Sequence, residues 1–388
     1  MKLNADNAKT LALEVAENLK PLLAELVGIN SGSKNTDGSN QVLRALEPLY
    51  GEMGFTCTEY SVHHPELNDD FPHRLWSRSG AEAQFSMLHV GHVDTVFPKE
   101  HPFQSLSRSE ERWQGPGVAD MKGGLMVMAG VHQLLEKAGL LEHFDSAVFV
   151  NSDEEIQSRT SRDLVEKTAL GRDAVFVYEP GRAGNGVVRG RKGIARFTVK
   201  IHGQSAHSGN HHQSGRSAIK SAASVILALE RLTDYDRGVT INVGTIEGGT
   251  TRNTVPDRCV LEIDARFERL EDGPWLEEQV KRHTDANLLD GTSAEIDGGV
   301  GRPAWTALDE GSPLLDALNS AAQELHQDIP LLSVGGGSDG NFTAAMGIPT
   351  IDGLGAVGGG YHTPDEWMNP ASLAERIALV ALTLTKLP

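Results

Sequence analysis

The sequence predicts an α/β protein: a mixed, mostly parallel sheet flanked by helices, interrupted by a smaller α+β insertion of ferredoxin-like type. Three observations carry this expectation. Apolar runs at 85–92, 146–155 and 173–180 alternate with helical patterns at 123–139 and near 160–169. Strands alternating with helices build a parallel sheet covered by helices. From about residue 191 the texture shifts to half-exposed strands, and from about 303 the helix–strand alternation resumes. Acidic or His residues also sit where each early run ends: His92 and Asp94, Glu154 and Glu155, then Glu179. In open α/β sheets the ligand crevice lies outside the carboxyl ends of the strands.

The elements follow in order. Residues 8–28 place Leu11, Leu13, Val15, Leu19, Leu22, Leu23 and Leu26 in a helical apolar pattern, with Pro21 expected to kink or split the helix. Residues 39–54 give a second amphipathic helix ending near Gly54. The stretch 61–82, rich in His, Pro, Asp and Ser, is expected to be an irregular connection. In 193–203, Ile194, Arg196, Thr198 and Lys200 alternate with Ala195, Phe197, Val199 and Ile201, a half-exposed strand. A helix at 214–232, strands near 239–247 and 258–267, a helix near 274–288 and a strand near 293–298 complete a ferredoxin-like split unit. Beyond 303 come a helix at 312–327, a strand at 330–334, a helix at 339–346, a strand at 348–352 and a helix at 371–386. The expected division is 1–190 and 303–388 for the main domain, with 191–302 inserted. No internal repeat or low-complexity tract is present.

Composition narrows the function classes. The 388 residues carry 35 Lys+Arg against 53 Asp+Glu, a net charge of −18. That argues against a nucleic-acid partner, which needs a basic face, and against docking on anionic membrane. A local basic pocket for a small anion is compatible with it. The two cysteines, Cys57 and Cys259, exclude a disulfide framework and a thiolate zinc site, and are expected to be buried free thiols. The N-terminal residues hold no apolar signal core, and no window of about 18 uninterrupted apolar residues occurs. The expectation is a soluble, cytoplasmic protein.

The chemistry-bearing segments are H-V-D (92–94), G-V-A-D (117–120), D-E-E (153–155), E-P (179–180) and G-Y-H (360–362). Nitrogen and oxygen donors without thiolates suit zinc, manganese or cobalt. Two His and three carboxylates, one of them bridging, would hold a metal pair roughly 3.5–4 Å apart. Adjacent Glu residues on a strand end point to opposite sides, so one can bind metal while the other acts as a base. Other signals are discounted. Gly353, Gly355 and Gly358 match G-x-G-x-x-G by count but open no helix. The pairs His63-His64 and His211-His212 read as solvated or hydrogen-bonded histidines. H-E-x-x-H and P-loop patterns are absent.

The segments HVGHVDTVFP, GPGVADMKGG, NSDEE, VYEP, GQSAHSG, RNTVPD and GYHTPDE occur in this order from about residue 85 to the C-terminus. Together they resemble the zinc-dependent exopeptidase and deacylase family. That family includes glutamate carboxypeptidase, acetylornithine deacetylase, succinyl-diaminopimelate desuccinylase and peptidase T. NSDEE followed by SRDLV, the stretch RKGIARFTVKIHGQSAHSG, GRPAW and GGGSDG look most like the glutamate carboxypeptidase branch.

The resemblance implies two zinc ions per subunit, with cobalt or manganese as substitutes. His92 and Glu179 would bind one, Glu155 and His362 the other, and Asp120 would bridge them. Asp94 would orient His92, and the Asp120–Met121 peptide would be cis. Glu154 would be the general base. His207 would reach the partner subunit's site and help stabilise the oxyanion, making the active form a homodimer through the inserted dimerisation and lid domain. Arg266 would hold the substrate carboxylate with its planar fork. Asn253 would be a polar lid residue, and Arg302, Gly337 and Ser338, with Asp339, would line the pocket. The implied reaction is hydrolysis of an amide next to a free α-carboxylate in an N-acyl amino acid or short peptide, releasing C-terminal glutamate. The alternative is a deacylase of acetylated or succinylated amines, or a dipeptidase. Glu179, where some aminopeptidase-type relatives carry Asp, leans toward the carboxypeptidase and deacylase side.

Overall fold

FSMLHVGH forms the strand Phe85–His92 inside a six-stranded sheet. The computed structural model describes residues 3–387. From edge to edge the sheet runs Thr56–His64, Asp69–Ser79, Phe144–Asn151, Phe85–His92, Ala174–Val177 and Thr350–Ile351. The first two junctions are antiparallel and the other three parallel. Side chains alternate between faces, as a pleated strand requires. Met87, Val148, Val150 and Phe176 join the core under the helices Ala5–Gly28, Lys122–Lys137, Pro313–Leu325 and Ser372–Leu384. Leu88, Val90, Phe149, Val175 and Val177 join a second core with Val165 and Ala169 of the helix Arg162–Ala169. Burial on both faces explains why these strands read as continuous apolar runs.

The helix Lys122–Lys137 is buried along most of its length. Gly124 lets it approach the strand end that leads to Glu179, since a Cβ there would lie 2.0 Å from the Tyr178 carbonyl oxygen. The helix Ala5–Gly28 is capped by Asn4, whose side chain accepts from the Asn7 N–H at 2.9 Å, and it runs through Pro21 without dividing.

The stretch expected to be irregular is a hairpin, Thr56–His64 with Asp69–Ser79. Its outer strand is a largely exposed edge, so an apolar alternation is missing there. Its inner strand buries polar residues with partners: Arg74 meets Glu47 at 3.2 Å and Glu59 at 3.0 Å. Cys57 lies on the outer strand and is exposed, correcting the expectation of burial; Cys259 is buried, and both are free.

The chain divides into two compact units. One comprises the chain up to Gly190, Ala307–Ser333 and the residues from Ser338 on; the other comprises Arg191–Thr306 with Val334–Gly337. The second unit thus runs four residues beyond 302 and takes in a short later segment. Its antiparallel sheet runs Thr240–Gly248, Arg258–Phe267, Gly193–His202 and Ser293–Arg302. With the helices Ala218–Glu230 and Asp272–Asn287 this is the ferredoxin-like strand order. Phe197, Val199 and Ile201 face its core while Arg196 is exposed. Among the described residues no helix is long and apolar enough to cross a membrane.

Candidate metal centre

Three neighbouring parallel strands end side by side in the first unit. His92 closes Phe85–His92 and lies in register with Asn151, and Glu179 follows Val177 by two residues. Asp120 comes from the loop before the helix Lys122–Lys137, and His362 from the turn after Gly358–Gly359. Glu154 and Glu155 are not on a strand end, as expected, but in a 3-10 turn, Glu154–Ile156. Two carboxylates bend the chain there. Asp94 accepts from the Glu154 and Glu155 N–H groups, each at 3.1 Å. Asp153 accepts from the Thr160 N–H and hydroxyl, each at 2.7 Å.

Asp120 stands between two nitrogen–oxygen sets, and its peptide to Met121 is cis. Its Oδ1 lies 3.4 Å from His92 Nε2, which in turn lies 3.5 Å from Glu179 Oε1. Its Oδ2 lies 3.3 Å from His362 Nε2, which lies 3.2 Å from Glu155 Oε2. Donor atoms of His92, Asp120 and Glu155 fall within 4.8 Å of one another, as do those of His92, Glu154 and Glu179. His92 Nε2 and Asp120 Oδ1 are buried and make no hydrogen bond. An unsatisfied buried polar atom costs roughly 1–3 kcal/mol. Two such atoms facing each other in an acidic pocket fit a bound cation, and the thiolate-free donor set fits a borderline divalent metal.

The electrostatics point the same way. Burial alone would favour neutral His92, yet Asp120, Asp94 and Glu179 hold its pKa well above the usual histidine value. Asp120 and Glu155 push His362 up to about 11. Burial pushes Glu155 up to about 7 and also raises Glu179, where Asp120 adds to it. Burial likewise opposes ionised Asp120, but the two imidazoles hold its carboxyl below the ordinary range. Without metal, protons on the histidines balance an excess of buried carboxylate. A divalent ion would replace them.

His92 Nδ1 donates to the Asp94 carbonyl oxygen at 3.0 Å, which leaves Nε2 as the ring atom facing Asp120 and the one free to take a metal. The Asp94 carboxylate is 3.3 Å from the same ring nitrogen and also accepts from the Ser33 hydroxyl at 2.9 Å. Asp94 therefore orients the histidine chiefly through its main chain, while its carboxylate organises the Glu154–Glu155 turn.

His207, Asn253, Arg266, Arg302 and Gly337 belong to the second unit. Exposed His207 pairs with Thr254 in a two-stranded ribbon, beside Asn253, whose carbonyl accepts from the Ser208 N–H. His207 Nδ1 accepts from the Gly209 and Asn210 N–H groups, each at 3.1 Å. The neutral ring therefore carries its proton on Nε2. The Arg266 fork is engaged by Asp264, at 2.6 Å through Nε and 2.9 Å through an outer nitrogen, and a third bond reaches the Gly335 carbonyl at 3.3 Å. Arg302 is buried against Gly337.

Ser338, in the first unit, is buried and donates its hydroxyl to Asp352 Oδ2 at 2.7 Å. Asp339 is bound to Asn151 and Ser158. Gly336–Gly340 spells the serine-hydrolase pattern G-x-S-x-G, but this buried hydroxyl is no exposed nucleophile. His63 meets Asp70 on the surface, and His64 accepts from the Leu67 N–H.

Ser33 was not singled out from the sequence; Asp153 was noted only within D-E-E and Glu366 only within GYHTPDE, neither with a role of its own. The last two lie inside the motifs NSDEE and GYHTPDE, so the signal was present, but their backbone partners are invisible in a linear pattern.

The model of Peptidase family M20/M25/M40 matches residues 88–386. Carboxypeptidase G2 of Pseudomonas sp. (strain RS-16) is 28% identical over 363 residues, covering 92% of this chain and 86% of that protein. Succinyl-diaminopimelate desuccinylase of Alkalilimnicola ehrlichii is 28% identical over 377 residues, covering 91% and 94%. The crystal structure of a tripeptidase from Staphylococcus aureus superposes with a TM-score of 0.80 at 23% identity, covering 95% of this chain and 98% of the other. The motif resemblance and the family match agree, and the chain belongs to Peptidase family M20/M25/M40, as a hydrolase of the metallopeptidase class.

Proposed function

We propose that this protein is a dinuclear zinc exopeptidase that hydrolyses an amide next to a free α-carboxylate and releases C-terminal glutamate from N-acyl or peptide substrates. The observation that carries the reading is Asp120 shared between the His92–Glu179 and His362–Glu155 sets, with Glu154 beside them. His92, Glu179 and Asp120 would hold one ion, and Asp120, Glu155 and His362 the other. Bound there, the metals would polarise the scissile carbonyl and lower the pKa of a shared water toward about 7.

The chain's own residues do the rest. Glu154 takes a proton from the water that attacks the carbonyl carbon. As the C–N bond breaks, the same carboxyl returns that proton to the leaving amine. Asp94 keeps Glu154 in place through its backbone N–H. His207, with its proton on Nε2, is a suitable donor to the oxyanion in a partner subunit's site, which makes the working form a homodimer. Arg266 would exchange Asp264 for the substrate carboxylate.

A deacylase acting on succinylated or acetylated amines is the second reading. A desuccinylase and a carboxypeptidase are relatives at the same 28% identity, which favours keeping it. Amine release from a panel of N-acyl amino acids, by zinc-loaded protein with a chelated control, separates the two. Chelator-sensitive turnover strongest on C-terminal glutamate is the expected result. Rates governed by the acyl group would move the protein to the deacylases. No turnover on any member by a two-zinc protein would overturn both substrate classes.

A further inference from the structure

His362 reaches the metal centre on an exposed turn. Its backbone φ is +62° and its side chain is 54% exposed, so neither burial nor strand pairing fixes it. His92, by contrast, closes a strand inside the sheet, and buried Glu179 follows the neighbouring strand by two residues. Four residues after His362, Glu366 is 1% exposed and its carboxylate is directed at another loop. Oε2 accepts from the Gly117 N–H at 3.0 Å, and Oε1 accepts from the Ala119 and Asp120 N–H groups, each at 3.0 Å. The main chain strengthens the junction: the Gly115 N–H donates to the Glu366 carbonyl at 3.2 Å, and Gln114 Nε2 donates to the Pro364 carbonyl at 3.0 Å. Trp367 and Met368 pair in register with Gln114 and Trp113. Gly117, Ala119 and Asp120 are all buried, so their N–H groups need this acceptor.

We propose that Glu366 is a positioning residue that sets the second metal position, by tying the turn that carries His362 to the loop that carries Asp120. The proposal rests on the dinuclear reading above. It implies an asymmetry. Losing the Glu366 carboxylate loosens His362 and one edge of Asp120, while His92 and Glu179 keep their support from the sheet. The target of the Glu366 carboxylate is the backbone of a metal-ligand loop, not a metal or a substrate.

The test is a zinc titration of the metal-free full-length chain against a competing chelator, for wild type, Glu366→Ala and Glu366→Gln, with the melting temperature of each metal-free chain. In Glu366→Ala the second zinc equivalent should weaken by about 10–100-fold, the usual loss when a residue supporting a metal ligand is removed, and the first by less than about threefold. Glu366→Gln keeps one oxygen for Ala119 and Asp120 but presents an amide N–H₂ to the Gly117 N–H, so its second equivalent should fall between the two. Equal weakening of both equivalents, alongside a lowered metal-free melting temperature, would assign Glu366 a merely structural role and overturn the proposal. Unchanged affinities would also overturn it. If Glu366→Ala does not fold, the second equivalent of Glu366→Gln decides. A wild-type chain that takes fewer than two equivalents would instead overturn the dinuclear reading, before any variant is compared.

Discussion

Two groups of histidines in the same unit are held in opposite charge states. His92 and His362 lie against Asp120, Glu155 and Glu179, and both are pushed up. His73, His89 and His132 lie inside the fold against aromatic rings and hydroxyls, and burial pushes all three down: His73 and His132 to about 4, His89 well below its ordinary value. His132 donates through Nδ1 to the Met128 carbonyl at 2.9 Å and accepts at Nε2 from the Ser146 hydroxyl at 2.8 Å. His89 pairs with the Tyr178 hydroxyl at 2.7 Å and stacks on Phe176. Neighbouring carboxylates, more than burial, separate a histidine that would bind metal from one that completes a core. His92 and His132 are both fully buried, yet they differ in everything that follows.

The sharpest separation should come from the acidic side. Glu154→Gln should keep zinc and lower turnover by about 10²–10⁴-fold, the range for loss of a general base. A near-normal rate in steady-state assays would remove Glu154 from that role. On the core side, His132→Ala leaves a cavity and the buried Ser146 hydroxyl without its partner, and should destabilise the metal-free chain by about 2–4 kcal/mol with zinc stoichiometry unchanged. His362→Ala should lose a zinc equivalent and destabilise the metal-free chain less than His132→Ala does, because its ring is half exposed and its loss opens no core cavity. Denaturant melts with metal analysis check both, and a matching pattern in the two variants would erase the distinction.

Acid should act on the two groups with opposite sign in the metal-free chain. For His73 and His132 the folded pKa, about 4, lies below the ordinary 6.5, so the unfolded chain binds more protons between these values. Their contribution is complete above 6.5 and is lost as the pH falls toward 4. His362 supports the metal-free fold fully below 6.5, and that support is lost as the pH rises toward about 11. Zinc binding near pH 7 should therefore release protons from His362 and from Glu155, and should weaken on acidification. Calorimetry in two buffers of different ionisation enthalpy measures the release; none would contradict these charge states. The smallest expected effect lies in the second unit. Asp264→Asn should loosen the Arg266 fork and lower KM by about 2–5-fold with kcat unchanged, the signature of ground-state carboxylate binding. A raised KM would make the pair a structural one.

Much of this was legible because the centre is built on strand ends. The runs ending at His92, Asn151 and Val177 are apolar on both faces, so the parallel sheet and the acidic residues beyond it show in one dimension. The ferredoxin-like unit was visible because Arg196, Thr198 and Lys200 alternate with a buried face. The hairpin 56–79 was not visible, since its outer strand is a polar edge and its buried Arg74 is satisfied by residues distant in sequence. The turn of Glu154 and Glu155 was read as strand because its bend comes from Asp94 and Asp153, not from Gly or Pro. Arg266 was singled out by its resemblance to the family's carboxylate-binding Arg, but its engagement by Asp264, two residues earlier on the same strand, is a side-chain geometry that alternation alone does not reveal.

The central claim is that one carboxylate, Asp120, serves two metal positions. Anomalous diffraction at the zinc edge from crystals of the zinc-loaded chain tests it most directly. The account predicts two peaks flanking Asp120, one beside His92 and Glu179 and the other beside Glu155 and His362. A single peak, or peaks at His63-His64 or His211-His212 in place of Asp120, would contradict it.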